Sequence, residues 1–175
     1  MIACQRGGGN FHTPGLAVLA KLAVVKLGSG RWVAQGLLLA WAAGTHAGVT
    51  IDGSISPAAI LAGPGYQINA AHGVQSGNNL FHSFGQFGIA SGQSATFNGP
   101  AGLANIIGRV TGLGPVPGLV ASGINGPIIS TVSGANLFLI NPAGFIFGAN
   151  ASLSVSGSFY ASSASYLKFA DKTSW

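Results

Sequence analysis

Thiols and charge are the scarce features of this chain: one cysteine, Cys4, two acidic residues, Asp52 and Asp171, and seven Lys or Arg among 175 residues. Each scarcity excludes something. A single thiol cannot build a disulfide framework or a cysteine-based zinc set. Two carboxylates near opposite ends of residues 48–175 do not form the close pair that glycoside hydrolysis uses. Charged residues are 5% of the chain, where an ordinary soluble domain has roughly 25%. Disorder needs high charge and low hydrophobicity, so this composition excludes it too.

Most of the formal charge of +5 comes from the first 47 residues, which hold Arg6, Lys21, Lys26 and Arg31 and no acid. Beyond them, Arg109, Lys168 and Lys172 are set against Asp52 and Asp171, with no Lys/Arg cluster for a phosphate backbone. Nucleic acid is therefore not an expected partner. His72 and His82 are the only histidines after residue 47, and no cysteine or nearby acid completes a metal set around them. Both are expected at loop or edge positions, and both aspartates in exposed turns or at a terminus. His82-Ser83 lacks a third, orienting acid, and Gly7-Gly8-Gly9 lacks the Gly-Lys-Ser/Thr of a phosphate loop. No cofactor is expected.

What the chain does have is glycine, 29 of them, and short apolar bursts. Glycine costs about 1 kcal/mol relative to alanine inside a helix, so the composition points to an all-β architecture. The bursts are Ala95-Thr96-Phe97, Ile106-Ile107, Ile128-Ile129, Leu137 to Ile140, Phe145-Ile146-Phe147 and Leu153-Ser154-Val155. Turn signals separate them, among them Asn98-Gly99-Pro100, Asn125-Gly126-Pro127 and Asn141-Pro142. Strands of this length fall short of the roughly 9–11 residues of a membrane barrel strand. They fit a parallel β-helix, in which tight corners join short strands and successive coils stack. Phe97, Leu119, Leu139 and Phe159 are spaced by 22, 20 and 20 residues, which suggests a coil of about 20 residues.

The segment RWVAQGLLLAWAAGTHA joins a basic residue, Arg31, an apolar run over Leu37 to Ala43, and the small residues Thr45 and Ala47. That order is the pattern of a secretory signal peptide cleaved between Ala47 and Gly48, here preceded by a further apolar, Lys-bearing stretch. Residues 1–47 are thus expected to be an extended signal peptide and 48–175 the mature domain.

The blocks VTIDGSI, GNNLFHSFGQFGIASGQSATF, NIIGRVTG, INGPI, GANLFLINPAGFIFGANASLSVSGSFYASSA and LKFAD occur in a specific order over about residues 49–171. Together they resemble the N-terminal two-partner secretion domain, or haemagglutination activity domain, of filamentous haemagglutinin-like exoproteins. The resemblance implies a right-handed parallel β-helix with an N-terminal cap. It also implies recognition by an outer-membrane β-barrel transporter, passage through the periplasm and outer membrane, and a secreted or cell-surface, non-enzymatic, adhesin-like product. Host-cell or surface carbohydrate or protein would then be a further partner. Asn136 and Leu137 match the family's first Asn motif; Asn141, Pro142 and Gly144 match the second, with Ala143 where an Asn is common. These five residues and Asn150 are the expected transporter-recognition or coil-shaping positions, and replacing Asn136 and Asn141 is expected to lower export far more than replacing Asn78 and Asn79. The family's longer exoproteins imply that this chain is a fragment. The alternative is a β-helical polysaccharide-binding or polysaccharide-degrading secreted protein, which would need the missing carboxylate cluster.

Overall fold

A computed structural model describes residues 47–168. All of the proposed leader, residues 1–47, except Ala47, and the charges Asp171 and Lys172 lie outside the described residues. The described chain opens with β1 (Gly48–Ile51), β2 (Ala59–Ile60) and β3 (Gly65–Ile68), then a single 3₁₀ turn, Ala70–His72. β4 (Val74–Ser76) and the ten-residue β5 (Asn79–Gly88) follow. From there short strands alternate with corners: β6 (Ser94–Phe97), β7 (Asn105–Val110), β8 (Ser122–Ile124) and β9 (Pro127–Ser130). β10 (Asn136–Ile140), β11 (Phe145–Phe147), β12 (Ser152–Ser154) and β13 (Phe159–Ser162) complete the set.

These strands stack on three faces. β5, β7, β10 and β13 pair in parallel on the first; β3, β6, β9 and β12 do so on the second. β8 and β11 form the third, which an isolated bridge from Ile89 to Ile124 extends by one coil. The result is a parallel β-solenoid. β1 and β4 both pair antiparallel with β5, and β2 adds to β1, so β5 is the seam between an antiparallel N-terminal cap and the parallel coil.

Alternation along the short strands sends every second side chain inward, as in the exposed–buried pattern of β3 and the half-buried–buried pattern of β6. Ile68, Leu80, Phe84, Phe97, Ile106, Ile128 and Leu137 are fully enclosed in one apolar column. Each such side chain contributes about 1.5–3 kcal/mol relative to exposure. The column compensates for the missing disulfides. All six apolar bursts read from the sequence lie in or overlap strands.

The 20-residue coil is corrected. Leu80, Ile106, Leu137 and Phe159 stand in register, giving coils of 26, 31 and 22 residues. Leu119 belongs to no strand and is 45% exposed. The corner loops vary in length, so apolar spacing along the chain does not follow the coil. Two polar expectations are corrected as well. Asp52 is 8% exposed rather than a surface turn residue, and His82 is fully buried within β5 rather than at an edge.

Candidate functional site

The candidate residues occupy the three corners of one coil. Asn136 opens β10, Asn141 directly follows it, and Asn150 lies between β11 and β12. The coil brings Asn141, Pro142 and Gly144 together in one turn, while Asn136 and Asn150 occupy separate corners.

At the first corner, asparagines of three successive coils form a ladder. The Asn105 side-chain amide donates to Asn79 Oδ1 at 2.7 Å, and the Asn136 amide donates to Asn105 Oδ1 at 3.1 Å. Asn136 Oδ1 accepts the backbone N–H of Ser158 from the next coil at 2.9 Å. Parallel pairing in exact register permits this, because Asn79, Asn105 and Asn136 are mutual partners in the sheet. Leu137, the next residue, points inward and is fully buried.

The second corner is tighter. Asn141 is fully buried, and Nδ2 donates both protons, to Val120 O and Ser122 Oγ, each at 2.9 Å. Its Oδ1 accepts the Ala143 N–H at 2.9 Å, and its own N–H donates to Ser162 O. One side chain therefore closes a turn and ties its coil to the preceding one, while the backbone reaches the following one. Pro142 supplies the φ that the second turn position needs. The Gly144 N–H donates to Asn141 O at 2.8 Å with φ at +90°, a conformation that favours glycine. Ala143 contributes only a backbone N–H, which any residue but proline supplies.

Asn150 is exposed, and its N–H donates to Asn125 Oδ1 at 3.1 Å. Here the residue shaping the corner is Asn125, one coil earlier. The Asn150 side-chain amide itself donates to Ser91 Oγ at 3.3 Å.

Sequence reasoning missed Asn105, Asn79, Asn125 and Ser122. Asn79, chosen from the sequence as a comparison residue, is the first rung of the ladder. The signal was present: Asn-Leu-Phe at 79–81 and 136–138, with Asn-Ile-Ile between them at 105–107.

Asp52 is the one acidic residue among those described, and it works as a tether. Its carboxylate accepts the Ser54 N–H and hydroxyl at 2.8 Å, the Ser83 hydroxyl at 2.7 Å and the Thr111 hydroxyl at 2.7 Å. Burial alone would raise its pKa; the Ser54 N–H and the Thr111, Ser83 and Ser54 hydroxyls outweigh this and hold it below the usual carboxylate value. A carboxylate committed to four donors joins β1 to β5 and to the end of β7. Among the described residues no three His, Cys, Asp or Glu come together as a metal site.

No curated protein and no solved structure matches the chain. The family model of the TPS secretion domain matches residues 47–175, covering the whole described coil and its cap. With this match over a parallel β-solenoid, the chain belongs to the TPS secretion domain family and is a two-partner secretion substrate.

Proposed function

We propose that residues 48–175 direct export by engaging a partner outer-membrane β-barrel transporter, and that the corners flanking β10 shape the surface it reads. The observation that carries this reading is the secretion-domain match over the entire coil. The corner geometry supports it, because Asn136 and Asn141 fix the backbone at both ends of one strand. In this reading the chain crosses the periplasm, Ala47–Gly48 is the cleavage junction, and the product is a non-enzymatic, adhesin-like surface or secreted protein. The polysaccharide-degrading alternative gains no support, since the Asp52 carboxylate is occupied in holding the cap.

Co-expression in a Gram-negative host, with and without the cognate transporter, tests the reading. The chain is expected in the medium only when the transporter is present. Equal release without it would defeat the proposal.

A further inference from the structure

β4 pairs with Asn79, Leu80 and Phe81 of β5, and β1 pairs with Phe84 to Gly88. His82 and Ser83 lie between these registers, where neither cap strand pairs with β5. The gap is bridged differently on its two sides. Ser83 holds Asp52 through its hydroxyl and accepts the Asp52 N–H at its carbonyl. His82 turns inward, and its Nδ1 lies 3.1 Å from His72 O at the end of the 3₁₀ turn.

A carbonyl oxygen only accepts, so Nδ1 carries the proton in this bond and Nε2 presents a bare lone pair. Nε2 is buried with no hydrogen-bond partner among the described residues. The ring packs against Phe84 and Phe97, with centroids 5.8 and 5.9 Å away. Gly73, next to His72, makes this approach feasible: a Cβ there would lie 2.8 Å from His82 Nδ1 and closer still to Phe81 O.

We propose that His82 is an acid-sensitive latch for the arm formed by the 3₁₀ turn and β4, residues 69–78. Protonation at Nε2 places a charge and an unpaired N–H among aromatic rings, and the arm opens to bring the imidazolium to water. Release of β4 bares the backbone edge of Asn79 to Phe81, beside the first rung of the asparagine ladder.

No neighbouring charged group offsets that charge, and the bond to the His72 carbonyl, which favours the proton, is outweighed by burial. His72 is the only titratable residue facing the ring from the 3₁₀ turn, and it opposes protonation. β4, Val74–Ser76, has no titratable side chain. β7 presents Gly108, β6 presents Phe97 and β10 presents Leu139, none of them charged. Arg109 and Asp52 belong to the Ser83 side of the strand. Burial accordingly pushes the His82 imidazole down to about 4.

The two sides of the seam respond in different windows. His82 binds its proton more weakly folded than open, so the arm's stability is intact above about pH 6.5 and is lost as pH falls toward 4. Asp52, with a lowered pKa, keeps its charge through that interval and continues to hold β1. Opening in mild acid is therefore confined to the arm.

NMR of the exported protein tests this, following the His82 ring and the amide exchange of residues 74–81, corrected for intrinsic exchange rates. The opening constant of these amides should rise about a hundredfold from pH 7 to pH 4, while β7 and β10 amides keep their protection. His82→Asn, which retains a donor near the Nδ1 position and cannot titrate, should abolish the rise. A His82 ring titrating near 6.5 with the arm still protected would overturn the proposal. So would loss of arm and coil protection together, or an unchanged acid response in His82→Asn. The wild-type measurements decide the matter even if the variant fails to fold.

Discussion

Asn136 hands its side-chain amide to Asn105 across 3.1 Å, and Asn105 hands its own to Asn79 across 2.7 Å, so Asn105 is bonded on both sides. The middle rung has the most to lose. Asn105→Ala removes two side-chain bonds at a half-buried corner, each worth about 0.5–1.5 kcal/mol. Urea unfolding should show Asn105→Ala losing about 1–3 kcal/mol, more than Asn79→Ala. Equal losses would mean that the ladder is incidental to stability.

Asn141 and Asn150 make a second comparison. Asn141→Ala leaves Val120 O, Ser122 Oγ and the Ala143 N–H without the partner that a fully buried amide provided. An unsatisfied buried group costs about 1–3 kcal/mol, so a loss at or above the upper part of that range is expected. Asn150→Ala, at an exposed corner, should fall within about 0.5 kcal/mol of wild type. The same unfolding titration separates the two, and a similar cost at both sites would contradict the geometry.

Asp52 supplies a pH signature of its own. Its folded pKa is lowered by its hydroxyl and N–H donors, so its contribution is present above about pH 4 and fades as pH falls through the folded value. Asp52→Asn cannot follow that change. The stability gap between wild type and Asp52→Asn should be widest near neutral pH and shrink below about pH 4. A gap that stays constant down to pH 2.5 would show that the carboxylate charge does not hold the cap.

The sequence carried the strands and the corners of β10 because local chemistry specifies both. Leu137 to Ile140 is an apolar burst bracketed by Asn136 and Asn141, and it became a strand between two asparagine corners. The coil length was not legible, because 26, 31 and 22 residues contain loops whose lengths follow no side-chain pattern. The buried polar tethers were also out of reach. Asp52 meets Ser83 across 31 residues and Thr111 across 59, and such pairings exist only once the coil has closed. His82 read as an edge residue since nothing adjacent in the chain announces that its ring turns inward against Phe84 and Phe97.

The central proposal is that the corners flanking β10 shape the surface the transporter reads, beyond their part in stability. It is tested most directly by the secreted-to-periplasmic ratio of three variants co-expressed with the cognate transporter. One is wild type; one is Asn136→Ala with Asn141→Ala; the third is Ile128→Ala, which empties a fully buried site on β9 at a cost of about 2–5 kcal/mol. The account predicts that the double asparagine variant accumulates in the periplasm, with secretion down at least tenfold, while Ile128→Ala is exported close to wild type. Export of the double variant at the wild-type level, or equal failure of both variants, would contradict it.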